Sequence, residues 1–279
     1  MTGFPRPELL ATPDWLAEQA GRPDLRIVDV RWRPDGSGAQ VHAVGHIPGA
    51  VHLDWVTDLS EREGGGVVQL AGPEHVASAL GRLGIGDGTS VVLYDDTMGL
   101  YASRAWWSLR AYGFDAARVL DGGFAAWQAA FRPLSSFTVL PEPATFTPRA
   151  NPRIRLRASD IRELIASPDA IILDARAPAE YRGFQGNTRQ LGHIPGAINV
   201  PVGAMVRGGS QVLRQPAELR EQLTPAGLQR GRRIVCYDGS GIAGSRLAFV
   251  LSLLGHDDVA VYDGGWADWG ERLDLPVER

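Results

Sequence analysis

A chain that carries one ordered set of short motifs twice is constrained to fold as two similar units. Here Val28-Asp29-Val30-Arg31 is answered by Leu173-Asp174-Ala175-Arg176, and Gly45-His46-Ile47-Pro48-Gly49-Ala50 recurs letter for letter from Gly192 to Ala197. Val92-Leu93-Tyr94-Asp95 matches Val235-Cys236-Tyr237-Asp238, and Ser103-Arg104 matches Ser245-Arg246. Asp121-Gly122-Gly123 with Trp127 matches Asp263-Gly264-Gly265 with Trp269. Five blocks in the same order, offset by about 142 to 147 residues, mark a duplication.

Within each copy, short apolar runs alternate with helical patterns. Leu25–Val28, Ser90–Leu93 and Ala117–Leu120 suit buried strands, as do Ile171–Leu173, Ile234–Cys236 and Val259–Val261 in the second copy. Pro73 opens a helix, Ala102–Ala111 forms one that stops near Gly113, and Arg246–Leu254 forms its counterpart, stopping at Gly255. Strand, loop, helix and strand in succession predict an α/β fold, each copy a parallel sheet with helices on both faces. The stretch 131–153 is rich in Pro, Ser and Thr and has little periodicity. It is either a linker or a long ordered loop draped over both units, and the domains divide there in both cases. The expected bounds are 1–135 for the first domain, 136–153 for the linker and 154–279 for the second domain.

Composition narrows the chemistry. The net charge of −4, with no basic block or stripe, argues against nucleic acid and membrane surfaces as partners. Every basic side chain is arginine, so a Schiff base or lysine nucleophile is excluded. A single cysteine, Cys236, rules out an intrachain disulfide, a CxxC pair and a cysteine-rich metal site. No secretory leader pattern and no apolar run of membrane-spanning length occur, so a cytoplasmic location is expected. No metal or organic cofactor is implied. His46 and His193 stand one per motif without paired carboxylates at ligand spacing, which assigns them to turn formation and hydrogen bonding. Asp29 with Arg31 and Asp174 with Arg176 read as internal ion pairs, and Trp106, Trp107, Trp127, Trp266 and Trp269 as packing.

The Asp-x-Arg strand end, Gly-His-Ile-Pro-Gly-Ala, the Tyr-Asp loop followed by Ser-Arg, and the Asp-Gly-Gly block together resemble the tandem rhodaneses, the thiosulfate and 3-mercaptopyruvate sulfurtransferases. The resemblance runs from near residue 25 to near residue 270. It implies two rhodanese-like domains, the first silent and the second carrying the active loop between the central strand and a helix. In active members, it implies, a cysteine opens that loop and takes sulfur from a small anionic donor. The resulting persulfide passes its sulfur to a thiol or to cyanide. Backbone N–H groups of the loop and the positive end of the helix dipole favour the anionic sulfur.

This chain departs from that pattern at three working positions. The loop of mercaptopyruvate-type members resembles Tyr-Cys-Gly-Ser-Gly-Val-Thr-Ala. Here the stretch is Tyr237-Asp238-Gly239-Ser240-Gly241-Ile242-Ala243-Gly244, which puts Asp238 at the nucleophile position and Ala243 at the threonine position. The arginine that would hold the donor's charge falls on Glu180, leaving Arg182, Arg189 and Arg246 as substrate-holding candidates. Gly239, Ser240, Gly241, Ile242 and Ala243 are the candidate anion-binding loop. Cys236 is the alternative nucleophile, although it continues the apolar run Ile234-Val235 and matches Leu93, as a core residue would. Asp95 and Asp238, each followed by Ser-Arg, suggest structural carboxylates bonded to loop N–H groups and to the arginine of the same copy. Two functions follow: sulfur transfer from thiosulfate or 3-mercaptopyruvate, or a silent rhodanese that binds a partner protein or an anion. A general-base role for Asp238 lacks a histidine in the same loop.

Overall fold

The computed structural model describes residues 3–62, 67–228 and 231–279. The first unit contains strands β1 (Leu10–Ala11), β2 (Leu25–Asp29), β3 (Ala50–His52), β4 (Ser60–Arg62), β5 (Val68–Leu70), β6 (Ser90–Tyr94) and β7 (Ala117–Leu120). Its helices are α1 (Pro13–Gln19), α2 (Gly38–Val44), α3 (Trp55–Leu59), α4 (Pro73–Arg82), α5 (Leu100–Ala111) and α6 (Gly123–Ala129). The second contains β8 (Arg155–Leu156), β9 (Ala170–Asp174), β10 (Ile198–Asn199), β11 (Arg233–Tyr237) and β12 (Val259–Tyr262). Its helices are α7 (Ala158–Leu164), α8 (Pro178–Tyr181), α9 (Pro216–Leu223), α10 (Ile242–Leu253) and α11 (Gly265–Trp269).

Each unit holds one five-stranded parallel sheet, in the order β1-β7-β6-β2-β3 and, in the same sense, β8-β12-β11-β9-β10. The strands are nearly continuous apolar runs because both faces of each sheet are covered. Alternation along the central strands assigns the faces. Val91 and Leu93 of β6, with Ile234 and Cys236 of β11, enter a core shared by the two units. Val92 and Tyr94 pack into a core private to the first, and Val235 and Tyr237 into one private to the second. The shared core is closed by α5 lying against α10, where Trp106 meets the edge of Phe249 at 5.0 Å between ring centroids. Both helices begin earlier than their sequence pattern, at Leu100 and Ile242, so each loop runs straight from strand end to helix start.

The stretch 131–153 is an ordered strap held mainly by the first unit. Ala144 N–H donates to Gly81 O, Asp87 N–H to Thr145 O, Arg149 N–H to Tyr112 O and Asn151 N–H to Ala111 O. Phe146 is buried against Phe114.

Charge as well as apolar surface joins the units. Asp263, fully buried, lies 2.7 Å from Arg104 Nη1 of the first unit and 3.0 Å from Arg155 Nε of its own, and accepts a hydrogen bond from Leu70 N–H at 2.8 Å. Its counterpart Asp121 accepts from Leu213 N–H at 2.9 Å, the same exchange in the opposite direction. A buried carboxylate between two guanidinium groups is costly to leave half made. Asp263→Asn is therefore expected to lower the unfolding free energy in guanidinium titrations by about 3–5 kcal/mol. A loss below about 1 kcal/mol would contradict that weight.

Candidate functional site

The candidate site is the loop between β11 and α10, at the carboxyl edge of the central strand, where open parallel sheets place their ligands. Helix α10 starts without a side-chain cap, because its N-cap is Gly241 in the left-handed region at φ +80°. A Cβ there would lie 2.7 Å from Arg104 Nη1 and 2.9 Å from Asp263 O, so only glycine fits. The first-turn N–H groups still need acceptors. Asp238 supplies them: its carboxylate accepts from Ser240 N–H at 3.3 Å, Ala243 N–H at 3.2 Å and Gly244 N–H at 3.1 Å. The first copy repeats the device, with Asp95 accepting from Thr97 N–H at 2.8 Å and from Gly99 and Ala102 N–H at 2.9 Å.

Burial raises the pKa of Asp238 above the ordinary carboxylate value, and the three N–H donors and then Arg104 pull it back. Asp95 follows the same pattern, with Arg246 as the opposing cation. The start of α11, which follows the Asp-Gly-Gly block, supports the loop. Trp266 N–H donates to Asp238 O at 2.7 Å and Ala267 N–H to Gly239 O at 2.9 Å. Gly265 makes this approach possible, since a Cβ at its φ of +56° would collide with Asp238 O.

Cys236 lies within β11, paired with Leu173 and Val261 of the flanking strands, and is fully buried in the shared core. Burial, followed by the nearby charge of Asp238, pushes its thiol far above the ordinary range. Its surroundings thus disfavour the thiolate and cover the sulfur.

The arginines do not assemble on this loop. Arg182 is exposed after α8, and its side chain forms no ion pair or hydrogen bond among the described residues. Arg189 is exposed and pairs with Glu271 at 3.2 Å. Glu180, where the resemblance implies a donor-holding arginine, accepts from Ala177 N–H at 3.2 Å and caps α8. Arg246 requires a correction. Packing of α5 on α10 aims it across the interface, so it donates to Ser103 Oγ at 3.3 Å and stands against Gly99 of the first copy's loop. It is 4% exposed and cannot hold a donor at Asp238. The arginine beside the second loop is Arg104, from the first domain, which donates to Gly241 O at 3.4 Å. Pairing within each copy is thus replaced by pairing between copies. Two contributors had no expected role at this loop: Gly244, whose N–H is the shortest of the three contacts to Asp238, and Arg104, which was expected beside Asp95. Reading the first turn of α10 as beginning at Ile242 would have exposed Gly244 as a free donor.

The strand-end ion pairs anchor the other motifs. Arg31 Nη2 lies 2.6 Å from Asp29 Oδ2 and Arg176 Nη2 2.6 Å from Asp174 Oδ2, and the two guanidinium groups also donate to Gly45 O and Gly192 O. Tyr94 O–H donates to Asp29 at 2.8 Å and accepts from Ile47 N–H at 3.2 Å. Among the described residues no group of three or more His, Cys, Asp or Glu is arranged to hold a metal ion. No helix among them is long and apolar enough to cross a membrane.

The Rhodanese-like domain profile matches this chain twice, over residues 12–130 and 157–272. The chain belongs to the rhodanese family. This tandem rhodanese is 36% identical over 275 residues to the 3-mercaptopyruvate sulfurtransferase of Escherichia coli K12, covering 95% of this chain and 96% of that one. It is 34% identical over 276 residues to the human 3-mercaptopyruvate sulfurtransferase, covering 94% and 92%. Its fold overlays the crystal structure of SseA from Escherichia coli, a 3-mercaptopyruvate sulfurtransferase, with a TM-score of 0.84 at 32% identity, covering 92% of this chain and 98% of that one.

Two solution tests follow from this geometry. Cys236 should react with a disulfide reagent such as DTNB no faster than the folded protein opens globally, and a fast stoichiometric reaction would contradict its placement. Burial raises the Asp29 carboxyl, but His42 and Arg31 outweigh it and hold it down at about 2. A depressed carboxylate adds stability above its unfolded pKa and loses it as pH falls through the folded one. Asp29→Asn should therefore flatten the acid limb of a stability profile between about pH 4 and pH 2. An unchanged limb would contradict the assignment.

Proposed function

We propose that this rhodanese forms no persulfide and serves as a binding module for a partner protein. The observation that carries this reading is the Asp238 carboxylate seated among the loop N–H groups, where the family resemblance implies a cysteine. Sulfur transfer begins when a thiolate attacks the outer sulfur of the donor, making an S–S bond and expelling sulfite or pyruvate. A carboxylate cannot end as a persulfide, and it already engages the donors that would welcome the incoming anion. The fully buried Cys236 offers no substitute. With the loop closed by its own side chain, a small anionic sulfur donor has no prepared seat. A protein surface that recognises the rim of the loop, Ser240 and Ile242 being only partly buried, needs none.

The second reading is sulfur transfer from thiosulfate or 3-mercaptopyruvate to a thiol or cyanide. The names of its relatives favour it, at 36% and 34% identity. It requires Cys236 to reach the loop.

Thiocyanate formation from each donor and cyanide separates the two. The unaltered protein and Cys236→Ser are expected to stay at background, while Asp238→Cys gains turnover because the loop donors then face a thiolate. Turnover in the unaltered protein that disappears in Cys236→Ser would contradict the proposal.

A further inference from the structure

The two motif histidines are built into the same device in both domains. His46 and His193 are buried, at 1% and 4% exposure. The backbone of each forms an antiparallel bridge with the segment that leaves its own domain. His46 exchanges two 2.9 Å hydrogen bonds with Ser135, and His193 exchanges bonds of 2.8 and 3.0 Å with Glu278. Each ring lies flat on the ring of a residue in or beside the preceding helix: His42 at 3.9 Å and Tyr181 at 3.7 Å between centroids. Each Nδ1 faces the backbone carbonyl of that same residue, at 2.8 Å from His42 O and 2.9 Å from Tyr181 O.

The other nitrogen faces the departing segment. His46 Nε2 lies 3.2 Å from Phe137 O, and His193 Nε2 lies 3.8 Å from the Glu278 carboxylate. Both nitrogens of each ring therefore face groups that only accept. A neutral imidazole donates from one nitrogen and presents a lone pair at the other, whereas an imidazolium donates from both.

We propose that these histidines are protonation-controlled latches. As imidazolium, each fastens the segment that follows its domain; as neutral imidazole, each releases one of its two side-chain contacts. His46 governs the start of the inter-domain strap at 135–137, and His193 the C-terminal tail at 277–279. Protonation supplies the second N–H donor of each ring, so the latch closes at low pH and loosens as pH rises.

The charged surroundings are defined. Around His46 stand His42 from α2, Asp29 and Arg31 from β2, His52 beside Arg31 O from β3, and Tyr94 from β6. His42 Nδ1 is itself 3.0 Å from Asp29 Oδ2, which gives the stacked pair an anion. The strap facing His46, from Pro133 to Phe137, has no titratable side chain. Around His193 stand Tyr181, Glu278, Tyr237, the Asp174–Arg176 pair, and Arg279, which donates to Leu191 O.

Amide hydrogen exchange on the full chain at pH 5.5 and pH 8, expressed as protection factors, tests the latch. Protection of the His46 and Ser135 amides should fall about tenfold between the two, the effect of losing one charge-assisted hydrogen bond. His46→Gln should show no pH response at Ser135. His193→Gln should keep that response and lose the one at Glu278. Equal protection at both pH values, or an intact Ser135 response in His46→Gln, overturns the proposal. Ring nitrogen NMR of the unaltered protein decides independently of how the variants fold. Two protonated nitrogens on His46 at pH 5.5 and one at pH 8 are expected, and a pattern that does not change overturns the latch.

Discussion

A loop that joins a central parallel strand directly to a buried helix leaves several backbone N–H groups pointing inward with no secondary-structure partner. Leaving such donors unmet costs about 1–3 kcal/mol each, enough together to unseat the loop. Both copies of this rhodanese meet the demand with a carboxylate at the first loop position. Asp238 reaches Ser240 and the first-turn residues Ala243 and Gly244, while Asp95 reaches Thr97, Gly99 and Ala102. The carboxylate works as a cap delivered from outside the helix, which is why a bare glycine can hold the N-cap position in each copy. A loop shaped to stabilise an anion and the presence of a fixed anion within it are one fact.

The glycine at that cap has a second use. It admits the guanidinium of the opposite domain, Arg104 at Gly241 and Arg246 at Gly99. Each loop is therefore completed by the other half of the molecule. The exchange is unequal, since Arg104 has the Asp263 carboxylate at 2.7 Å, whereas burial lowers the pKa of Arg246 with Asp95 and Asp121 opposing from a distance. The first domain is accordingly a structural component of the second domain's site. An aspartate at the first position of each loop fits this shared framework.

Much of this was legible in the residues. The duplicated motifs set the copy number, the alternation of strand and helix patterns set the sheet type, and the family resemblance of the loop set the register that puts Asp238 at its first position. The apolar run Ile234-Val235-Cys236 marked the cysteine as a strand residue, and it is one. The crossed arginines were not legible. Ser103-Arg104 and Ser245-Arg246 repeat so faithfully that each copy reads as self-sufficient, whereas the packing of α5 on α10 directs each arginine across the interface into the other copy. Contacts such as Arg104 with Gly241, 137 residues apart, leave no local pattern. The same holds for Leu70 N–H on Asp263, where the donor is a backbone group that any residue would supply. The role of Gly244 was hidden differently, because a helix start displaced by a few residues moves the count of free first-turn donors.

The central claim is that the Asp238 side chain is the loop's resident anion. Scalar couplings measured by NMR through hydrogen bonds, from the amide nitrogens of Ser240, Ala243 and Gly244 to the Asp238 carboxylate carbon, test it most directly. The account predicts observable couplings from these amides to that carbon, persisting when millimolar thiosulfate is added. Absence of the couplings, or their loss as thiosulfate binds and the Asp238 carboxylate swings out, would contradict it and reopen the loop to a sulfur donor.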